Sequence, residues 1–255
     1  MKKTIITLWI LFQLIFAGNA QQANYWYFGY KAGLNFNTSP PTPLADGELS
    51  TNEGCSAISD NLGNLLFYTD GRKVWNKNHL VMPNGDGLMG HNSSTHSAIV
   101  IPKPGSSTIY YLFTADADEN LFVNGYRYSE VDITLNGGLG DINANKNILL
   151  FAPGTEKMTA ASHANGIDIW LITKELNNHV FRSYKITCNG IDNTPVMSTV
   201  TAITASTYGY KTGCIKVSPD GTKIASGRNG EGKLDIFKFD NSTGIISDRI
   251  LITQN

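Results

Sequence analysis

Short apolar and aromatic runs, separated by turn-forming residues, recur along most of the chain. The clearest unit is residues 53–75, which read EGCSAISDNLGNLLFYTDGRKVW. Within it, residues 55–59 and 65–69 have the length and apolar character of short strands. The Asp-Asn-Leu-Gly-Asn segment between them consists mostly of residues that favour turns. The pattern predicts two antiparallel strands joined by a tight turn.

Degenerate copies of this unit continue to the end of the sequence. Their first strands begin near residues 55, 96, 158 and 214, and each is followed by a turn and a second apolar or aromatic strand. Third strands follow, and those at 180–186 and 234–239 alternate apolar and polar residues as half-buried strands do. Fourth strands are expected at 147–151, 196–203 and 249–252. Four short strands per repeat, at a period of roughly 40 to 60 residues, are typical of β-propeller blades.

We therefore predict an all-β fold, a β-propeller of WD-like four-stranded blades with about four blades present. The blades are expected at residues 53–95, 96–157, 158–212 and 213–255. Residues 24–36 are expected to form an N-terminal strand that closes the last sheet or lies at an edge. A β-sandwich is the all-β alternative, but it gives no reason for one unit to be repeated four times.

Composition supports this fold class and excludes some partners. The chain has 255 residues, enough for a large core, and its 25 glycines with only 16% charged residues suit an all-β protein rich in tight turns. The formal net charge is −1, and there is no basic block. Electrostatics therefore predicts neither a nucleic-acid partner nor an anionic membrane surface.

The N-terminus has the pattern of a secretory signal peptide. Lys2 and Lys3 precede an apolar run at 5–16, and small residues at 18–20 favour cleavage before Gln21. The apolar run is too short to span a bilayer comfortably. We expect residues 1–20 to be removed and 21–255 to be an exported propeller domain, extracellular or at the cell surface, without membrane insertion. The periplasm is the alternative location.

Several motifs resemble known exported propellers. Residues 217–225, VSPDGTKIA, resemble the turn between inner strands of WD-like repeats, including the periplasmic propeller of the Tol–Pal system. Residues 24–252 are similar to the N-terminal propeller region of large exported Bacteroidetes proteins described as gliding-motility-associated or type IX secretion cargo. The segments that carry this likeness are 26–29, 46–47, 51–55, 63–71, 74–76, 82–85 and 135–141.

The resemblance also implies how the chain is organised. Such proteins continue with further blades, adhesion-type modules and a C-terminal sorting domain, whereas this sequence ends at Asn255 after a fourth blade. We expect an incomplete ring that belongs to a longer protein. A small closed ring of four blades is the alternative.

No residue is assigned a catalytic role from the sequence. Nucleophile, zinc-protease and phosphate-loop motifs are missing. A glycosidase would need two carboxylates about 5 to 10 Å apart, and the candidates are Glu53, Asp60 and Glu156. Residues of this kind at blade edges usually serve turns through hydrogen bonds, so we favour a structural role.

No metal-binding or cofactor-binding residue is assigned either. The histidines lack the short spacings of metal ligands and are expected in loops and turns; they are His79, His91, His96, His163 and His179. Residues 116–120 begin like a calcium loop, but Leu121 and Arg127 occupy the positions where an EF-hand has Gly and Glu. A solvated acidic loop is favoured, and a weak calcium site is the alternative.

The three cysteines cannot all be paired within one chain. Cys55, Cys188 and Cys214 are expected to be small buried residues on inner strands. Cys55 and Cys214 occupy matching positions of two repeats, so a disulfide between them would require that the two blades adjoin.

Together these features favour an exported non-catalytic scaffold that binds a surface protein or a glycan. Exposed members of one group of tyrosines could stack on sugars, although blade packing explains most of them; the group is Tyr25, Tyr27, Tyr126, Tyr208 and Tyr210. One alternative is a propeller hydrolase or lyase acting on polysaccharide, which needs acidic or histidine side chains converging on the axis. Another is a periplasmic envelope-assembly partner.

Overall fold

Five antiparallel sheets account for most of the computed structural model, which describes residues 21–200 and 208–253. The predicted signal peptide, residues 1–20, lies outside the described residues. The all-β propeller prediction is confirmed. None of the helices in the described part of the chain is long and apolar enough to cross a bilayer.

The strands are numbered in chain order. Sheet 1 contains β1 (Tyr25–Phe28), β2 (Ala32–Asn35) and β3 (Thr42–Leu44). Sheet 2 contains β4 (Ser56–Ser59), β5 (Leu65–Thr69), β6 (Lys73–Asn76) and β7 (Val81–Asp86). Sheet 3 contains β8 (Ala98–Pro102), β9 (Ile109–Ala115), β10 (Tyr126–Asp132), β11 (Asp141–Ile142) and β12 (Ile148–Phe151).

Sheet 4 contains β13 (Gly154–Ser162), β14 (Ile169–Glu175), β15 (Val180–Thr187), β16 (Gly190–Ile191) and β17 (Val196–Thr199). Sheet 5 contains β18 (Ile215–Val217), β19 (Lys223–Arg228), β20 (Lys233–Asp240) and β21 (Ile245–Thr253). Two short helices, α1 (Leu135–Gly138) and α2 (Tyr208–Lys211), and two 3-10 turns at Gln21–Ala23 and Asp118–Asn120 complete the described elements.

Each of sheets 2 to 5 begins with its innermost strand and proceeds outward through hairpins. The innermost strands contact one another in succession, β4 with β8, β8 with β13 and β13 with β18, and β1 contacts β4. In sheets 3 and 4 the outermost position is shared by two short strands, because β11 and β12 both pair with β10 and β16 and β17 both pair with β15. The sheets are therefore arranged radially around an axis lined by their first strands.

Apolar side chains fill the spaces between neighbouring sheets. Between sheets 1 and 2, Tyr27 stacks on Tyr68 at 4.4 Å between ring centroids, and Tyr68 stacks on Trp75 at 5.5 Å. Between sheets 4 and 5, the rings of Phe181 and Phe237 pack edge to face at 5.1 Å. These layers bury the alternating apolar residues that the sequence pattern marks out.

The N-terminal segment differs from the expectation of one closing or edge strand. Residues 24–36 form two strands, β1 and β2, which pair with β3 in a sheet of their own. Among the described residues, no strand of sheet 1 pairs with sheet 5. Sheet 1 is instead held by its packing on sheet 2. The expected fourth strands at 147–151 and 249–252 lie in β12 and β21. The remaining expected fourth strand, at 196–203, corresponds to β17, and its residues 201–203 lie outside the described residues.

Candidate functional site at the propeller axis

A cavity of about 740 Å³ lies where sheet 5 meets the segments that lead into β4 and β8. We call it the axial cavity, and the lining residues that matter below are Glu53, Thr95, Cys214, Arg228, Lys233 and Ile252. Its volume is in the usual range for small-molecule sites in proteins. Charged side chains, a hydroxyl group and the exposed backbone of several glycines line the cavity. The side chain of Ile252 adds an apolar surface.

Thr95 joins three parts of the molecule beside this cavity. Its backbone N–H and its hydroxyl donate to Glu156 Oε2 at 2.9 and 2.7 Å, which links the segment before β8 to β13. Its Oγ1 also accepts from the Gly213 N–H at 3.2 Å, just before β18. The segment before sheet 3 is therefore tied to both sheets 4 and 5.

Glu156 is buried and accepts hydrogen bonds from two other segments of the chain. The side chain receives both Thr95 donors on one oxygen, and the Asp118 N–H donates to the other oxygen at 3.4 Å. Burial raises the pKa of Glu156 despite these donors, and the negative charge of Glu53 adds to the increase. Two of the three carboxylates named from the sequence, Glu53 and Glu156, are thus close enough to interact electrostatically.

Two lysine amines are buried beneath the cavity, each with only 1% of the residue exposed. Lys157 Nζ donates to Gly227 O at 2.5 Å and to Gly213 O at 3.4 Å, and burial lowers its pKa to about 8. Lys174 Nζ lies 3.5 Å from the Tyr210 ring centroid, and burial and then the Lys157 charge lower its pKa to about 6. Lys157 therefore links sheet 4 to sheet 5, and Lys174 links the β14–β15 hairpin to the ring of Tyr210.

A compact ion network surrounds Asp235 in sheet 5. Arg228 Nε donates to Asp235 Oδ2 at 2.8 Å, and Arg249 Nε donates to Oδ1 at 2.8 Å. Arg228 also pairs with Glu231 at 3.3 Å. The charge of Arg228 is therefore largely balanced inside the protein, although this residue lines the cavity.

Cys214 and His96 form a pair at the cavity wall. Cys214 Sγ lies 3.6 Å from His96 Nε2, and the two residues are 118 positions apart in the chain. His96 is only 9% exposed, whereas Cys214 is exposed. Burial, followed by the Lys216 charge, lowers the pKa of His96 to about 4. The imidazole is therefore neutral at neutral pH, beside an accessible thiol.

Asp60 does not join Glu53 and Glu156. It lies in the turn between β4 and β5, where its Oδ1 accepts the N–H groups of Leu62 and Asn64 at 2.8 Å each. This is the structural role expected of a turn aspartate.

Three of the other histidines lie beside different aromatic residues. His79 Nδ1 lies 3.2 Å from the Tyr68 hydroxyl, His179 Nδ1 lies 3.1 Å from the Tyr210 hydroxyl, and His163 stacks on Trp170. Over residues 21–200 and 208–253, no three His, Cys, Asp or Glu side chains are grouped so as to hold a metal ion.

The segment that resembles the start of a calcium loop is organised by hydrogen bonds. Asp116 is buried, and its Oδ2 accepts from the Asn120 side chain and from the Asn124 N–H at 2.8 Å each. The carboxylate thereby holds the loop that contains the 3-10 turn at Asp118–Asn120.

Several tyrosines named for sugar stacking are packing residues. Tyr27, Tyr126 and Tyr210 are each less than 5% exposed, which leaves no face for a ligand. Tyr25 is half-buried, and the side chain of Tyr208 lies outside the described structure.

The expectation that the cysteines are buried is wrong for two of them. Cys188, after β15, and Cys214, before β18, are exposed, and Cys55 is half-buried. All three are free. Cys188 lies in the β15–β16 turn, and Cys214 opens onto the axial cavity, so neither is covered by sheet packing.

Comparisons with known proteins show no family for the chain. No protein-family model matches the chain, and no curated protein matches it. Among solved structures, a luciferin-regenerating enzyme is 12% identical with a TM-score of 0.40, over 92% of this chain and 63% of that one. A putative 6-phosphogluconolactonase from Bacteroides fragilis is 13% identical with a TM-score of 0.43, over 91% and 80%.

AztD from Citrobacter koseri is 11% identical with a TM-score of 0.41, over 91% of this chain and 56% of that protein. The chain thus spans less than two thirds of the length of the luciferin-regenerating enzyme and of AztD. These similarities carry no assignment of activity.

Proposed function

We propose that the chain is the binding propeller of an exported, cell-surface protein, and that it binds a glycan in the axial cavity without catalysing a reaction. The observation that carries the proposal is the cavity itself, an open site of about 740 Å³ between the segments that lead into β4 and β8 and one end of sheet 5. Fixed backbone and side-chain polar groups beside an apolar wall suit a ligand with many hydroxyls and some apolar faces.

The charge balance of the site favours a neutral polar ligand over an anion. Arg228 is paired with Asp235 and Glu231. Lys157 is directed to the carbonyls of Gly213 and Gly227 rather than to the cavity. The cationic groups therefore have internal partners, and a phosphate or carboxylate ligand would have to compete with them.

The hydrogen bonds and the burial of Glu156 argue against the alternative of a polysaccharide hydrolase or lyase. Both of its oxygens accept hydrogen bonds, and the residue is only 2% exposed. A general acid must reach the glycosidic oxygen of its substrate, and this carboxylate is committed to holding Thr95. A protein ligand and the role of envelope-assembly partner remain the alternatives to a glycan.

A glycan array on the purified chain tests the proposal, with Lys233→Ala as the cavity variant and Lys238→Ala as the matched control. Both lysines lie on β20, but only Lys233 lines the cavity. We expect binding of at least one sugar class, and a loss of about tenfold in affinity only in the Lys233 variant. A folded protein that binds no sugar would refute glycan binding, and equal effects of the two variants would place the site elsewhere.

Export is tested separately by fractionation. We expect the chain expressed with residues 1–20 to reach the cell exterior or envelope and the chain that starts at Gln21 to stay inside the cell. Retention of both forms in the cytoplasm would contradict the proposed location.

A further inference from the structure

The three cysteines lie in three different chemical environments. Cys55 is half-buried, and burial raises its thiol pKa to about 11. Cys188 is exposed, and its sulfur lies 3.9 Å from the Asn189 side-chain oxygen. Cys214 is exposed in the axial cavity and has the imidazole of His96 within 3.6 Å. Only Cys214 therefore combines access with a neighbouring imidazole.

We propose that Cys214 and His96 form a reactive thiol–imidazole pair, and that this thiol exchanges with disulfides of small molecules that enter the axial cavity. The inference is independent of glycan binding, because it rests on the geometry of this pair alone.

The backbone on both sides of the pair is fixed. The N–H of Gly213 donates to Thr95 Oγ1 at 3.2 Å, and the Cys214 carbonyl accepts the N–H of Gly227 at 2.9 Å. His96 follows Thr95 directly in the chain. The hydrogen bond from Gly213 to Thr95 therefore holds the sulfur and the imidazole together, although they come from sheets separated by sheet 4.

The imidazole meets the sulfur as a neutral ring. His96 is only 9% exposed, and burial, followed by the charge of Lys216, lowers its pKa to about 4. Nε2 therefore takes part in the pair as a hydrogen-bonding atom and not as a base that holds the thiol proton.

The charges around the pair disfavour an imidazolium. Lys157 Nζ contacts the carbonyls of Gly213 and Gly227, which flank Cys214, and Lys216 lies two residues further along the chain. These cations contribute to the low pKa of His96. The imidazole beside Cys214 Sγ is therefore uncharged at neutral pH.

The exchange reaction needs no oxidant or reductant besides the Cys214 thiol and the incoming disulfide. The Cys214 sulfur attacks one sulfur of the incoming disulfide, so that the Cys214–S bond forms and the original S–S bond breaks. The Cys214 thiol gives its proton to water before the attack, and the departing sulfur leaves as a thiolate that takes up a proton from water. One thiol is oxidised and one half of the disulfide is reduced to a thiol.

Disulfide exchange fits the site better than acyl transfer. Acyl transfer needs N–H donors for a developing oxyanion. The nearby amides of Gly213 and Gly227 already donate to Thr95 Oγ1 and to the Cys214 carbonyl. Exchange with a disulfide requires only an accessible thiolate and a proton partner.

The test measures reaction of the purified chain with oxidised glutathione at neutral pH, followed by acid quenching and tryptic peptide mapping. Each cysteine falls in a different tryptic peptide, so all three rates come from one sample. We expect Cys214 to react about tenfold faster than Cys188 and Cys55 to react slowest. We expect His96→Gln to bring the Cys214 rate close to that of Cys188, with Cys214→Ser as the control for peptide assignment.

Two results would overturn the proposal. One is a Cys188 rate equal to or above that of Cys214 in the unsubstituted folded chain, a measurement that needs no variant. The other is a Cys214 to Cys188 ratio that persists in guanidinium or in His96→Gln, since the advantage would then not come from the folded pair. The guanidinium comparison decides the question even where the His96 variant fails to fold.

Discussion

Tyr126 shows how much a single buried hydroxyl contributes to the junction of two sheets. It lies on β10 in sheet 3 and is fully buried, and its hydroxyl contacts Thr155 Oγ1 at 2.9 Å and Lys157 O at 2.8 Å, both in sheet 4. We expect Tyr126→Phe to lower the free energy of unfolding by about 1 to 3 kcal/mol, because it leaves buried polar groups unpaired. Urea denaturation measures this change.

The matched control is Tyr30→Phe. Tyr30 is 72% exposed, and its hydroxyl bonds to Asn52 at 2.6 Å on the surface. Its loss should cost less than about 0.5 kcal/mol. Equal costs for the two substitutions would mean that the buried hydroxyl of Tyr126 does not stabilise the junction.

The buried Lys174 makes stability depend on pH. Burial and the Lys157 charge lower the pKa of Lys174 from 10.5 to about 6, so between these values the unfolded chain holds a proton that the folded protein lacks. Stability therefore rises with pH across this window, by up to about 1.4 kcal/mol per pH unit. We expect Lys174→Met to flatten this dependence in urea unfolding between pH 6 and pH 9.

Lys238→Met is the control for this pH series, because Lys238 is an exposed strand lysine with 69% of its side chain accessible. The pH dependence of its unfolding should match that of the unsubstituted chain. An unchanged slope in the Lys174 variant would show that Lys174 stays protonated in the folded protein.

For single residues, the sequence could predict which aspartates stabilise turns but not which lysines are buried. Asp60 and Asp220 serve turns through contacts with residues two to four positions away, and such contacts are local. Lys157 donates hydrogen bonds to the carbonyls of Gly213 and Gly227 in a distant part of the chain, whereas Lys174 donates to the carbonyl of Asn178 in its own hairpin and lies over the ring of Tyr210. A lysine adjoining an apolar run such as residues 169–172 is a signal, but its partners cannot be identified from the sequence alone.

Among the elements, the β5–β6 turn shows how a glycine allows two sheets to approach. Gly71 has φ +82°, and a Cβ on it would lie 2.2 Å from Ser97 Oγ and 2.6 Å from Ser97 O, in the segment leading to β8. We expect Gly71→Ala to cost at least about 3 kcal/mol, since it adds a backbone clash to the strain of a positive φ. Thermal and denaturant unfolding would measure the loss.

A substitution at Gly87 measures the strain of a positive φ without a steric clash. It follows β7 with φ +75°, and a Cβ there would meet nothing within 4 Å. Gly87→Ala should therefore cost only about 1 kcal/mol, the strain of the left-handed conformation. If the two substitutions were equally costly, the close approach of the β5–β6 turn to Ser97 would not matter for stability.

The inner hairpins of sheets 2 to 5 could be predicted because each is coded by neighbouring residues. The short strands β11 and β16, which share the outermost position of sheets 3 and 4, were not predicted. The N-terminal sheet was missed for a related reason. Residues 24–36 read as one aromatic strand, but Gly29 and Lys31 adopt φ values of +58° and +57° and turn the chain back on itself. A positive φ at Lys31 has no sequence signature, since lysine rarely adopts it.

At the scale of the whole molecule, the candidate site depends on contacts between segments far apart in the chain. Glu53, Thr95 and Cys214 precede the first strands of three different sheets and meet only because those strands share an axis. The repeat pattern predicted that inner-strand ends would converge. It could not predict that position 96 would place an imidazole beside the Cys214 thiol, because matching positions carry Cys55 and Met158.

Thr95→Val tests whether one side chain holds the inner ends of three sheets together. The substitution preserves shape but removes the hydroxyl that donates to Glu156 Oε2 and accepts from the Gly213 N–H. Glu156 is buried and loses one of its three donors, while Gly213 N loses its acceptor. We expect a loss of about 2 kcal/mol in unfolding free energy. Hydrogen exchange should also quicken at Gly213 and along β18, which has few other ties to sheet 3.

Thr42→Val is the appropriate control, because Thr42 is exposed on β3 and its hydroxyl meets only that of Thr38, at 2.7 Å. It should leave both stability and β18 exchange unchanged. If Thr95→Val lowers stability without affecting β18, Thr95 serves mainly Glu156 and sheet 4. If neither quantity changes, sheet 5 is held at the axis by Lys157 and its carbonyl partners, and the geometry of the Cys214–His96 pair does not depend on Thr95.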